Sequence, residues 1–141
     1  MRYESSSVTE NRVAPRITLS TEDFERLSAL ANAARTRMPN LAADLIEEIA
    51  RADVLAKGLR LEHIVRMNSD VEFRDDTTGK IRRVKLVYPE AADISQRKIS
   101  VLTPVGTALI GLRRGHSITW EAPSGELRQL TVLTVREDPL A

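Results

Sequence analysis

Residues 100–135 read Ser-Val-Leu-Thr-Pro-Val-Gly-Thr-Ala-Leu-Ile-Gly-Leu-Arg-Arg-Gly-His-Ser-Ile-Thr-Trp-Glu-Ala-Pro-Ser-Gly-Glu-Leu-Arg-Gln-Leu-Thr-Val-Leu-Thr-Val, and this stretch decides the fold. Thr103 can cap a helix with its hydroxyl, and Pro104 suits the first helical position, where a missing N–H costs nothing. Gly111 permits the left-handed backbone that ends a short helix. The remainder predicts a hairpin, because an alternating segment and a Thr- and Val-rich segment are separated by Pro123-Ser124-Gly125.

The preceding residues have the two-residue period of strands. Val71 and Phe73 lead into Asp75-Asp76-Thr77-Thr78-Gly79, and the returning strand of a hairpin follows at 81–88. We interpret the paired aspartates as turn residues, because the spacing of a calcium-binding loop is missing. A third strand at 99–102 enters the short helix. The order strand, strand, strand, helix, strand, strand predicts an α+β fold with a mostly antiparallel sheet.

Two helices are predicted before the sheet. Ser20 is a good N-cap for the first helix, and Pro39 should end it. The second helix should run from Asn40 as its cap to Lys57, with Gly58 as its stop. Apolar residues recur at steps of three and four in both helices: Phe24, Leu27, Ala31, Ala34 and Met38, then Ala42, Leu45, Ile49, Ala52, Ala56 and Leu59. This pattern predicts a short antiparallel coiled coil with arms about 27 Å long.

The domain limits follow from these patterns. Residues 1–15 contain little apolar surface and are expected to form a disordered tail. The helical hairpin should occupy 16–61 and the sheet domain 62–141. No signal-peptide pattern or bilayer-spanning apolar run is present in the sequence, so the expected location is the cytoplasm, without a membrane partner.

Composition narrows the function classes. The chain has 141 residues and no cysteine, which excludes disulfides, thiol nucleophiles and thiolate zinc sites. His63 and His116 are its two histidines, and neither lies in a catalytic arrangement, so we expect no enzyme activity, no metal, no cofactor and no small-molecule substrate. The net charge of +1 gives no general drive toward nucleic acid, which favours a protein partner.

The pattern Ser-Val-x-x-Pro-x-x-x-Ala-Leu-x-Gly-x-x-x-Gly-x-x-Ile, followed by Pro-x-Gly and a Val-rich strand, resembles the C-terminal domain of the bacterial Gre transcript-cleavage factors. Upstream motifs resemble one branch of this GreA/GreB superfamily, the regulators of nucleoside diphosphate kinase (Rnk): Met67-Asn68-Ser69, Val71-x-Phe73, Leu86-Val87-Tyr88-Pro89 and Ala92-Asp93-Ile94-Ser95. Together these motifs cover about residues 64–135. The resemblance implies an FKBP-like sheet domain behind a coiled coil.

The resemblance also implies a partner-binding turn. In the resembled family, the turn that matches Leu102, Thr103, Pro104 and Val105 contacts RNA polymerase at the rim of its secondary channel. Local chemistry alone would make the same turn a plain helix cap. Cleavage-stimulating Gre factors carry two acidic residues at the coiled-coil tip, whereas Asp44 is the only acidic residue in the predicted tip here. Asp44 could favour the N-terminus of its helix electrostatically or contact a partner; the third interpretation, a catalytic metal ligand, is disfavoured because a single carboxylate is a poor magnesium site.

The resemblance, together with the predicted tip, therefore implies a bacterial, cytoplasmic transcription regulator that binds RNA polymerase, competes with Gre factors and does not stimulate transcript cleavage. DNA would be reached only indirectly, through the polymerase. One alternative is a cleavage-stimulating elongation factor, which needs two acids and a longer coil. Another is a Gre-derived module that binds a different cytoplasmic protein, as in nucleoside diphosphate kinase regulation. Arg82, Arg83 and Lys85 indicate either a solvated strand face or a contact with an anion or RNA.

Overall fold

The computed structural model describes the chain over residues 17–55 and 63–136. A three-residue strand, β1 (Thr18–Ser20), runs directly into α1 (Thr21–Ala33). The Ser20 hydroxyl accepts a hydrogen bond from the Asp23 amide at 3.0 Å, which confirms the predicted N-cap. A turn at 34–37 then leads to α2 (Pro39–Arg51).

The second helix differs from its prediction at both ends. Pro39 is its first residue and Met38 its N-cap, so Asn40 lies inside the helix and does not cap it. The helix ends at Arg51, before the predicted stop, because the chain turns into a strand, β2 (Asp53–Leu55). Each helix has 13 residues and is about 20 Å long, shorter than the predicted 27 Å.

Strand β2 pairs in parallel with β1, and the sequence analysis missed both strands. The Asp53 amide donates a hydrogen bond to the Ile17 carbonyl at 2.9 Å, which brings the end of α2 back to the start of α1. Lys57, Gly58, Ala56 and Leu59, which the prediction placed at the end of this helix and in its apolar seam, lie outside the described residues. So do the predicted domain limits and the predicted tail.

The central part of each predicted seam is buried. Leu27, Ala31 and Ala34 of the first helix lie in the core with Ala42, Leu45 and Ile49 of the second. Met38 at the turn is 44% exposed, so the seam ends before it. The helices thus pack along one apolar face, as the period of three and four predicts.

The second part of the chain forms a five-stranded sheet with one helix. Its elements are β3 (Asp70–Asp75), β4 (Ile81–Val87), β5 (Lys98–Ser100), α3 (Pro104–Leu109), β6 (Ser117–Glu121) and β7 (Leu127–Arg136). This order confirms the sequence prediction. The strands lie in the order β5-β4-β3-β7-β6, and only the β4–β5 pair is parallel.

The helical hairpin and the sheet share one hydrophobic core, which includes Ile17, Leu27, Phe73 and Leu109. Gly111 marks a close approach between the two parts. Its φ is +79°, and a Cβ atom there would lie 2.6 Å from the Ile17 Cβ, so a side chain would meet both steric and backbone strain. Among the described residues, no helix is long and apolar enough to span a membrane.

Candidate partner-binding site

The turn at residues 102–105 joins β5 to α3 and is held by hydrogen bonds. The Thr103 hydroxyl donates to the Ser100 carbonyl at 2.8 Å and accepts from the Gly106 amide at 3.0 Å. Pro104 is the first residue of α3, as predicted. The Thr107 hydroxyl donates to the Val101 carbonyl at 2.8 Å, which ties the first helical turn back to the strand. The turn is therefore a fixed platform as well as a helix cap.

The four residues of this turn are all partly exposed, but they are not equivalent. Leu102 and Val105 pack against the hydrophobic core. Pro104 lines a surface groove, and Thr103 is occupied with the cap. Of the four, Pro104 is therefore the side chain best placed to contact a partner without disturbing the fold.

This groove, called the α2–α3 groove below, lies between α2, α3 and β6 and has a volume of about 300 Å³. One set of lining side chains is apolar or aromatic and comprises Leu41, Pro104, Ala108, Ile118, Trp120 and Ala122. Another set is acidic and comprises Asp44, Glu47, Glu48 and Glu121. The groove thus combines apolar surface with four carboxylates, and no basic side chain lines it.

Asp44 is not at the tip of the hairpin, where the sequence analysis had expected it. It is the sixth residue of α2, exposed on the side of the helix, and it lines the α2–α3 groove together with Pro104. The tip itself is the turn at 34–38. The structure therefore brings Asp44 and the 102–105 turn to one surface, although they lie about 60 residues apart in the chain.

Two polar groups in the groove have unusual surroundings. Burial raises the pKa of the Glu48 carboxyl, and the Arg51 guanidinium, 2.6 Å away, only partly offsets that rise. The Trp120 indole nitrogen is buried and has no hydrogen-bond partner among the described residues. Both groups stand where a bound partner would change their solvation.

Sequence reasoning missed most of the groove. The sequence did contain a signal for the part of the groove that α2 supplies. Five of its residues recur at the spacing of one helical face: Asn40, Leu41, Asp44, Glu47 and Glu48. Nothing local indicated that this face would lie beside Trp120 and Glu121. That juxtaposition follows from the packing of the hairpin on the sheet.

The other candidate residues lie away from the groove. The Asp75 carboxylate accepts hydrogen bonds from Arg128 at 2.6 Å and from the Thr77 amide at 2.9 Å, and Asp76 pairs with Arg74 and Thr131. These contacts fit the predicted turn. Within residues 17–55 and 63–136, no three His, Cys, Asp or Glu side chains converge as a metal site.

Two family models match the chain. One is described as "Transcription elongation factor, GreA/GreB, C-term" and matches residues 61–137; the other is described as "Rnk N-terminus" and matches residues 15–55. Their limits lie close to the two parts of the fold, the helical hairpin and the sheet.

Similar proteins and structures agree with these models. "Regulator of nucleoside diphosphate kinase" of Escherichia coli (strain K12) is 37% identical over 127 residues, which is 90% of this chain and 93% of that protein. "Transcription elongation factor GreA" of Prosthecochloris aestuarii is 38% identical over 96 residues, but only 59% of its length is covered. A solved structure of a GreA/GreB elongation factor from Nitrosomonas europaea superposes with a TM-score of 0.68 at 38% identity, covering 86% of this chain and 98% of that one.

Proposed function

The chain belongs to the GreA/GreB family of transcription elongation factors, in its branch of regulators of nucleoside diphosphate kinase, and we propose that it binds RNA polymerase near the secondary channel. It is a Gre-related regulator. In the proposed function it competes there with Gre factors and does not stimulate transcript cleavage. Its setting is the bacterial cytoplasm, and it meets nucleic acid only through the polymerase.

The observation that carries this proposal is the shared position of Asp44 and Pro104 in the α2–α3 groove. Pro104 belongs to the turn for which the family resemblance implies polymerase contact. Asp44 comes from the helical hairpin, and in Gre factors the hairpin also acts on the polymerase. One docked polymerase segment could therefore contact both parts of the chain at once.

The chemistry of the groove suggests what that segment presents. Pro104 and Trp120 offer apolar surface, and Trp120 also has a buried N–H donor without a partner among the described residues. The acidic lining favours cations on the facing surface, although one of its carboxylates, Glu48, already pairs with Arg51. We therefore expect the polymerase segment to place an apolar side chain in the groove, with lysine or arginine beside it.

The proposal that the protein does not stimulate transcript cleavage is based on the residues at the hairpin tip. The turn reads Ala34-Arg35-Thr36-Arg37-Met38, so the residues that project farthest contain no carboxylate. A magnesium ion in such a site is bound through one or two carboxylates, and the tip supplies none. Asp44 lies on the side of the hairpin, and the arms are only about 20 Å long. The cleavage-stimulating alternative is disfavoured for these reasons.

A second candidate function is regulation of a nucleoside diphosphate kinase through direct binding. It is favoured by the name of the Escherichia coli relative, which is similar over almost its whole length. The same groove could serve either partner, because an apolar contact flanked by cations is not specific to one protein.

A binding experiment tests the proposal against this second candidate. The chain, labelled with a fluorophore, is titrated in parallel with core RNA polymerase and with a nucleoside diphosphate kinase from the same organism. The proposal predicts saturable binding to the polymerase that a Gre factor displaces. Saturable binding to the kinase with none to the polymerase would overturn it.

A further inference from the structure

A separate surface lies at the edge of the sheet formed by β4. Strand β5 pairs with β4 only through Lys85, Leu86 and Val87. The Lys85 amide donates to the Arg97 carbonyl at 2.8 Å, and the Val87 carbonyl accepts from the Val101 amide at 2.9 Å. The backbone groups of Lys85 and Val87 therefore face β5.

Backbone groups alternate between the two edges of a strand, so those of Ile81 and Arg83 face this same edge. Strand β5 does not extend that far. In the part of the chain that the structure describes, no strand pairs with this half of β4 on that side. The N–H and C=O groups of Ile81 and Arg83 thus form an open template for another strand.

A groove of about 530 Å³ runs beside this open edge. Its far wall is the turn that holds Ile94 and Arg97. Ile81 is 59% exposed and Ile94 is 84% exposed, which are high values for large apolar side chains. The two isoleucines would lie on either side of an extended chain placed in the groove.

The charge of this groove is the opposite of that of the α2–α3 groove. Arg82, Arg83 and Arg97 line it, against a single acidic residue, Glu72. Among the ion pairs that the described residues form, none involves these three arginines. The guanidinium groups can therefore each take a carboxylate from a ligand.

We propose that the open edge of β4 binds an extended acidic peptide segment of a partner protein by β-strand addition. The backbone of the peptide pairs with Ile81 and Arg83. Its acidic side chains, carried on both faces of the added strand because Arg82 and Arg83 project to opposite faces of β4, pair with Arg82, Arg83 and Arg97. A second copy of this chain is a poor occupant, because edge-to-edge pairing would place arginines against arginines. This site is distinct from the α2–α3 groove and does not depend on the proposed function.

The test uses the full chain and a peptide of stated sequence. The probe is a fluorescein-labelled, end-blocked peptide, Glu-Glu-Val-Glu-Glu-Val, which carries glutamates on both faces of an extended strand, and binding is followed by fluorescence anisotropy. Three comparison ligands are Lys-Lys-Val-Lys-Lys-Val, the acidic peptide with N-methyl groups on alternate residues, and an oligouridine. Amide hydrogen exchange by NMR reports the pairing residue by residue.

The proposal predicts that the acidic peptide binds and that the basic and N-methylated peptides do not. Exchange should slow at the amides of Ile81 and Arg83 when the peptide is added, while Arg82, whose amide faces β3, should change little. Arg83→Gln should weaken binding about tenfold, as loss of one charged hydrogen bond does. Arg114→Gln, an exposed arginine outside the groove, is the matched control.

A second variant tests the backbone pairing independently of the charge pairing. Ile81→Pro removes one edge amide and keeps all three arginines, and a proline is tolerated where its N–H faces an open edge. It should abolish binding, whereas Ile81→Thr should only weaken it. Thermal unfolding confirms that each variant is folded.

Several results would overturn the proposal. Equal binding of the acidic and N-methylated peptides would show that the backbone edge is not used. Tighter binding of oligouridine, unaffected by Ile81→Pro, would make the surface a nucleic-acid contact. Slow exchange at Ile81 and Arg83 in the free protein would show that the edge is already covered.

Discussion

The Asp23 carboxylate in α1 accepts a hydrogen bond from the Met67 amide at 3.2 Å, across 44 residues of sequence. Met67 lies just before β3, so this bond joins the helical hairpin to the sheet. Asp23 is only 7% exposed. Burial raises the pKa of its carboxyl, and the Met67 amide and the nearby Arg66 only partly oppose that rise. The bond helps to set the position of the hairpin, and the α2–α3 groove depends on that position.

The first prediction concerns this bond. Asp23→Ala should lower the free energy of unfolding by about 1–3 kcal/mol, because it leaves the buried Met67 amide without an acceptor. Asp23→Asn should cost less, since its amide oxygen can still accept. Urea unfolding of the two variants measures the difference, and equal losses would contradict a role for the hydrogen bond.

Asp23 should also make the free energy of unfolding depend on pH. The folded-state pKa of Asp23 is raised, so the folded protein takes up this proton before the unfolded chain does. Its contribution to stability therefore rises as pH falls from 7 toward about 4 and is lost again as pH rises. The parent should gain stability relative to Asp23→Asn over this range. A difference that does not change with pH would contradict the argument.

A second prediction tests the contact between Ile17 and Gly111. Gly111→Ala should destabilise the fold strongly, because the new Cβ would lie 2.6 Å from the Ile17 Cβ and φ is +79°. Gly115→Ala is the matched control, with φ of +90° and no atom within 4 Å. Thermal unfolding should show a larger loss of stability for Gly111→Ala than for Gly115→Ala. Equal losses of stability would mean that a small shift of Ile17 is enough to remove the clash.

Particular residues show how much of the fold and of the site the sequence could predict. Thr103 acts through its own hydroxyl, and Pro104 and Gly111 act through their own backbone, so the short helix and its limits were predictable. Strands β1 and β2 were missed because three residues carry no period, and their pairing joins Thr18 to Asp53. Asp44 was assigned to the tip because the predicted tip was drawn as residues 35–44, whereas the helix already begins at Pro39. How this helix lies beside the sheet is not readable from local sequence. The α2–α3 groove could not be predicted for the same reason.

A third prediction concerns the polymerase contact at Pro104. Pro104→Asp should weaken binding to core RNA polymerase by about tenfold or more, because an unpaired carboxylate would enter an apolar contact. The fold should tolerate it, since the first helical position needs no N–H. Pro89→Asp is a matched control, because Pro89 is also the first residue of a helical turn and lies outside the groove.

Val105→Asp is not an equivalent test. Val105 packs against the core, so this variant should lose stability as well as binding. If the Pro104→Asp variant melts like the parent and binds polymerase normally, the turn at 102–105 does not contact the polymerase.

A fourth prediction concerns transcript cleavage. The protein should not accelerate cleavage in backtracked transcription complexes, because the turn at 34–38 carries no carboxylate. Asp44→Ala should leave the rate at the level of the buffer control. Cleavage well above that control, abolished by Asp44→Ala, would contradict the proposed function and support the cleavage-stimulating alternative.

The central claim is that this chain and the Gre factors share a site on RNA polymerase. Titration of the protein into a cleavage reaction stimulated by a Gre factor tests it most directly, with Pro104→Asp as the binding-impaired control. The account predicts that cleavage slows as the protein is added and that the Pro104→Asp variant slows it much less. An unchanged cleavage rate at large excess of the parent protein would contradict a shared site.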